Sequence, residues 1–188
     1  MAAVIGALGQ RLRVPFGVDL LWDPVATGAA FAREVFTGVH AGDLGLWVPD
    51  AAAALRLRLR RTLHAEHVRL LFTVVAEFAA PLDARGPVPI VRSVAFSSLP
   101  DALAVSGPIT GTPPAAADLR AVREAAAGGV PVLLNTGLRR ETVAELLPLA
   151  DGAVVATALK VGGVTWNPVD PERVRALMET VRAVRGDR

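Results

Sequence analysis

Short apolar runs rich in β-branched residues recur along the chain, each bounded by Gly or Pro and followed by an Ala/Leu/Arg stretch of helical period. The runs are Gly17–Trp22, Phe31–Phe36, Val68–Val75, Ala102–Ser106, Val130–Asn135 and Ala153–Ala158. Near-continuous apolar runs of this length suit strands buried on both faces, and helices between such strands imply a parallel sheet that the helices cover. The helical stretches fall near Pro24–Ala29, Ala51–Leu63, Val88–Ser97, Ala115–Ala127, Arg140–Leu147 and Pro171–Arg185. The last opens on Asp170-Pro171, an Asp cap followed by Pro at the first helical position.

Six strand–helix units therefore run in series, behind an N-terminal stretch whose Val4, Ile5, Leu8 and Leu12 lie at helical spacing. A closed (β/α) barrel needs eight units and about 250 residues. The 188-residue chain is expected to be α/β and TIM-barrel-like, one domain with about six parallel strands, lacking the first two strands of a closed barrel. The competing architecture is an open, doubly wound sheet, whose G-x-G-x-x-G fingerprint is missing. An unclosed barrel leaves strand edges that call for self-association or a protein partner.

Composition removes several function classes. With no Cys, there is no disulfide framework, thiolate metal site or cysteine nucleophile. His40, His64 and His67 lack metal-ligand spacing, so neither a metal nor another cofactor is expected. The pI of about 10.3 reflects arginine and the lack of Tyr and Cys, because the formal net charge is only +2. The densest basic cluster, Arg56, Arg58, Arg60 and Arg61, alternates with leucines and reads as a solvated helix face without interleaved aromatic rings. Nucleic acid is not an expected partner. No apolar run reaches the roughly 18 residues of a membrane span, and the N-terminus lacks a signal-peptide pattern. A cytoplasmic location is expected, with peripheral membrane contact left open.

In parallel α/β architectures ligands bind where the strand C-termini meet the following loops. The second strand ends in a long glycine-rich loop offering Thr37, Gly38, His40 and Asp43. The third ends at Glu77, a general base or polar anchor, or equally a surface carboxylate. The fourth ends in Ser106-Gly107-Pro108-Ile109-Thr110-Gly111, small residues that let a ligand approach the backbone. The fifth and sixth end in Asn135-Thr136-Gly137 and Ala156-Thr157-Ala158-Leu159-Lys160. Loops after the last two barrel strands often cradle a phosphate, and Lys160, the chain's single lysine, stands beside them. Asp19 and Glu34 lie inside strands, where a carboxylate needs a partner.

The ordered string of motifs resembles the BtpA/SgcQ family. It comprises 15–23 (PFGVDLLWD), 26–29 (ATGA), 36–38 (FTG), 43–46 (DLGL), 79–82 (AAPL), 105–107 (VSG) with 110–111 (TG), 150–155 (ADGAVV), 156–160 (ATALK) and 167–174 (NPVDPERV). The resemblance implies a phosphate-binding-type TIM barrel, in a family linked to photosystem I biogenesis and to sugar-related operons, with poorly defined chemistry. It also implies an upstream segment carrying the first two strands. The chain has Thr73, Glu77 and Phe78 where the family favours Asp, Lys and His around that strand. It has Asn135-Thr136-Gly137 for Gly-Ser-Gly, Ala156-Thr157 for Gly-Thr, and Asp19 and Trp22 for Asn and Arg. Losing a Lys/His pair implies that any ancestral activity is changed or absent.

Two function classes follow. In the first, the protein binds, or binds and acts on, a phosphorylated small molecule such as a sugar phosphate or nucleotide. Thr37, Gly38, Ser106, Gly107, Asn135, Thr136, Gly137 and Thr157 would form the ligand and phosphate site. Lys160 would stabilise charge, and Glu77 or Asp43 would move a proton. In the second, it is a non-catalytic assembly or regulatory protein working through a protein partner. Whether it is an enzyme is left open by the residues.

Overall fold

The computed structural model of the protein describes residues 11–18, 29–43, 45–53, 55 and 66–186. Its strands, in chain order, are β1 (Gly17–Val18), β2 (Phe31–Glu34), β3 (His40–Gly42), β4 (Gly45–Trp47), β5 (Arg69–Val75), β6 (Ala79–Pro81), β7 (Ala102–Val105), β8 (Val132–Leu134) and β9 (Gly152–Ala153). Among the described residues, the α-helices that follow β6 are α1 (Pro87–Ser97), α2 (Ala116–Ala125), the single turn α3 (Val143–Leu146) and α4 (Pro171–Arg185).

Six strands form one parallel sheet in the order β1-β2-β5-β7-β8-β9. The order follows the sequence without a reversal. A doubly wound sheet reverses at its switch point, so this topology is that of a barrel wall. Together with the helices it makes a half-barrel. The wall is strongly curved: Arg33 Nη1 on β2 donates to Asn135 Oδ1 just beyond β8 at 2.7 Å. Those strands stand three inter-strand steps apart, roughly 14 Å across a flat sheet. Side chains rising perpendicular to a flat sheet would not meet over that distance.

Strand alternation sorts the residues into two rows. Leu70, Phe72, Leu103, Val105, Val132 and Leu134 are buried, within a core that also takes Val91 and Val94 of α1, Leu119 and Val122 of α2, Val143 and Leu146 of α3, and Leu177 of α4. Each large side chain fully buried there contributes about 1.5–3 kcal/mol. The concave row carries Arg33, Ala102, Ala104, Ser106 and Asn135, where the small alanines leave room for the polar groups.

The N-terminal rim is tied by a repeated device. Asp101, just before β7, accepts from Leu70 N at 2.8 Å, and Asp151, just before β9, accepts from Val132 N at 2.8 Å. Arg69 and Arg123 neutralise these carboxylates at 2.9 and 3.3 Å. The Ala150-Asp151-Gly152 motif is thus structural, as polar residues on the face opposite a barrel's ligand site generally are.

Several expectations need correction. The stretch after β2 is not a simple loop: β3 and β4 form a hairpin, and β6 pairs on the other side of β3 to make an antiparallel sheet. Three-residue strands are too short to show a period. The expected strand Ala153–Ala158 stops at Ala153, and Thr157–Leu159 forms a 3₁₀ turn. The expected helix Arg140–Leu147 splits into a 3₁₀ turn, α3 and a second 3₁₀ turn containing Pro148. By contrast α4 keeps its expected bounds: Asp170 accepts from Glu172 N at 2.9 Å, Pro171 opens the first turn, and Gly186 closes the helix at φ 71°. All of the expected helix Pro24–Ala29 but Ala29, the N-terminal apolar stretch up to Gln10, most of Ala51–Leu63, and Asp19 and Trp22 lie outside the described residues.

Candidate functional site

The C-terminal ends of β5, β7, β8 and β9 open on one cavity of about 250 Å³. Glu77 comes from beyond β5, just past a slip in strand register between Thr73 and Val75. Such irregularities re-aim the side chains that follow them. Thr110 and Gly111 come from the loop after β7; Asn135, Thr136, Gly137, Arg139 and Glu141 from beyond β8; Ala156, Thr157 and Ala158 from beyond β9. Arg33, Gly163 and Arg173 complete the polar and glycine walls. Three guanidinium groups against the carboxylates of Glu77 and Glu141 leave one positive charge in excess.

The floor of the site is a hydrogen-bonded chain. Arg33 donates to Asn135 Oδ1, and Asn135 Nδ2 donates to Ser106 Oγ at 2.8 Å. Ser106, Asn135 and Thr136 are buried polar residues, each of which needs partners there. Thr136 Oγ1 accepts from Gly107 N at 2.7 Å and donates to Thr112 O at 2.9 Å, so one hydroxyl joins the loops after β7 and β8. The same two loops meet backbone to backbone where a Cβ on Gly137, at φ 79°, would stand 2.0 Å from Pro113 N. Within the loop after β7, a Cβ on Gly107 would stand 2.1 Å from Thr112 O. On the far wall Thr157 Oγ1 bonds Thr165 Oγ1 at 3.0 Å.

The structure thus brings Glu77, Asn135, Thr136, Gly137 and Thr157 to one cavity, with Ser106 and Gly107 supporting it. Gly107 serves loop packing against Thr112 instead of backbone approach to a ligand. Thr37 and Gly38 line a separate cavity of about 210 Å³, between the antiparallel sheet and α1. Asp43 sits exposed at the β3–β4 turn, away from Glu77's cavity. Lys160 is not among the described cavity walls; it forms an antiparallel bridge with Val169. His40 is buried on β3 and not exposed, and burial lowers its imidazole pKa. Glu34 is buried as well, with Oε1 accepting from Val35 N at 2.7 Å.

The sequence reading missed Arg33, Arg139, Glu141, Gly163 and Arg173. Arginines recur along the whole chain, so composition singles none of them out; the 167–174 motif was the one available pointer to Arg173. Among the described residues, no group of three or more His, Asp or Glu side chains is arranged to hold a metal ion.

A parallel wall in sequential order, with a polar cavity at the strand C-termini, defines a TIM-barrel-like (β/α) protein. Solved structures of that class match the fold. Orotidine 5′-phosphate decarboxylase from Pyrococcus horikoshii superposes with a TM-score of 0.63 at 15% identity, over 96% of this chain and 80% of that one. Phosphoribosyl anthranilate isomerase from Thermococcus kodakaraensis gives 0.57 at 18% identity, over 96% and 79%. The chain belongs to the BtpA family, whose model matches residues 1–183. It is 44% identical to the sgc region protein SgcQ of Escherichia coli over 98% of this chain, and 32% identical to the photosystem I biogenesis protein BtpA of Synechocystis over 96%. It spans 70% and 65% of the lengths of those two relatives. Among the described residues, no helix is long and apolar enough to cross a membrane.

Proposed function

We propose that the cavity at the strand C-termini binds a phosphorylated small molecule, and that a sugar phosphate suits it better than a nucleotide. One observation carries the reading: the loops after β8 and β9 deliver Thr136, Gly137 and Thr157 to the cavity that Arg33, Arg139, Arg173 and Glu77 also line. The Thr157 hydroxyl and the guanidinium groups suit a phosphate, and Glu77 and Asn135 suit a polyhydroxylated body. The described walls offer no aromatic face for a base. Orotidine 5′-phosphate and phosphoribosyl anthranilate are the phosphorylated compounds named for the two structural neighbours, which supports the class of ligand without specifying it. Glu77, a carboxylate among cationic walls, is the candidate for proton transfer if a reaction occurs.

The test is a thermal-shift titration with inorganic phosphate, ribose 5-phosphate, glucose 6-phosphate and AMP. Saturation at a hundred times the dissociation constant adds about 2.7 kcal/mol. In a domain of this size that raises the melting temperature by roughly 5–11 °C. A rise with the sugar phosphates that exceeds the rise with AMP supports the reading. A folded protein indifferent to every phosphorylated probe would direct attention to a partner-dependent, non-catalytic role.

A further inference from the structure

We propose that Arg173 is the principal anion-holding side chain of this cavity, taking the terminal phosphate through the free end of its guanidinium. The proposal rests on the phosphate-binding reading above and names the group that does the binding.

The geometry begins at the Asn167–Val174 motif, which no part of the cavity floor explains. Asp170 caps α4 and takes up the amides of Glu172 at 2.9 Å and Arg173 at 3.4 Å. Those helix amides are therefore engaged, and the start of α4 serves to place a side chain instead. That side chain is Arg173, whose Nε donates to Ala158 O at 2.8 Å. Ala158 belongs to the Thr157–Leu159 turn, so this bond fixes the guanidinium against the segment carrying Thr157.

On its other side stands Gly163, at φ 69°, where a Cβ would lie 3.4 Å from Arg173 Nη2. The guanidinium thus sits between two cavity walls and is a wall itself. Among the described residues only Nε is used, which leaves the paired Nη groups as a fork for two phosphate oxygens.

Charge bookkeeping points the same way. Arg69, Arg85, Arg123 and Arg175 each pair with a carboxylate, Arg175 with Glu172, the chain neighbour of Arg173. Among the described residues no carboxylate pairs with Arg173. A guanidinium oriented by a carbonyl, without an anion of its own, beside a cavity in net positive surroundings is arranged to receive one from outside. Lys160 does not share this arrangement, because the described cavity walls do not include it.

The experiment is calorimetric titration of ribose 5-phosphate and of inorganic phosphate into the full chain and its R173A, R173Q, R173K and K160A variants. Charge-assisted hydrogen bonds of this kind give an expected loss of about tenfold to a hundredfold for R173A and R173Q. R173K keeps the charge without the fork and should fall between them and the unmodified protein. K160A should stay within about twofold.

A phosphate monoester loses its second proton near pH 6. Affinity should therefore rise from pH 5.5 to 7.5 in the unmodified protein and rise less in R173Q. A role confined to propping the 157–159 turn would weaken binding without changing that pH profile. Unchanged affinity in R173Q, or a K160A loss larger than the R173Q loss, would overturn the assignment to Arg173 while leaving the ligand class standing. Failure of the unmodified, folded protein to bind either probe would remove the phosphate-binding reading and this assignment with it.

Discussion

Thr136 offers the sharpest test of how the site is built. Its buried hydroxyl accepts from Gly107 N and donates to Thr112 O, and these two bonds join the loops after β7 and β8. Thr136→Val keeps the side-chain shape and removes both bonds. A buried group left without its partner costs about 1–3 kcal/mol. The Thr112 carbonyl end is only partly buried and recovers some of that from water. The expected total is roughly 2–4 kcal/mol, or a melting temperature lower by about 5–15 °C for a domain of this size. Thr136→Ser keeps the hydroxyl and loses one methyl group, worth about 0.8 kcal/mol. Chemical denaturation of the two variants side by side gives the comparison directly. If Thr136→Val is no less stable than Thr136→Ser, the hydroxyl does not join the two loops energetically and the argument fails.

Gly137→Ala places a methyl 2.0 Å from Pro113 N at a backbone φ of 79°. Since both the clash and the left-handed strain must be met, it should destabilise by several times the roughly 1 kcal/mol of strain alone and weaken any ligand seen by thermal shift. Asp170→Ala removes the cap of α4 and should cost about 1 kcal/mol; Asp170→Asn should recover most of it, and equal stability of the two would refute the cap's role. Burial lowers the His40 pKa, so the unfolded chain takes up a proton there more readily than the folded one. His40 should accordingly make stability fall as pH drops below its ordinary value of about 6.5. Denaturation midpoints between pH 7 and pH 5 should show a shallower slope in His40→Leu, and an unchanged slope would count against burial as the cause.

Much of the architecture was legible because each strand–helix unit carries its own local signals. β5, β7, α1 and α2 fall within a residue or two of the expected bounds, and α4 coincides with them. Their apolar runs are long enough to show a buried strand or a helical face, and Asp170-Pro171 specifies a helix start by itself. The small antiparallel sheet was not legible. Ala41 of β3 pairs with Leu46 a few residues away and with Ala80 across the chain, and nothing local in three residues announces such partners.

The candidate site divides in the same way. The sequence by itself determined which strand ends would carry polar and small residues, and so proposed Glu77, Asn135, Thr136, Gly137 and Thr157. Only the tertiary structure decided that these share a cavity, that Thr37 and Gly38 belong to another, and that the cations at hand are Arg33, Arg139 and Arg173 instead of Lys160. The physical reason is range. A strand, a cap or a turn is specified by residues within a few positions of one another. The curvature that brings Arg33 within 2.7 Å of Asn135 arises from the packing of the whole sheet against its helices, which no local pattern encodes.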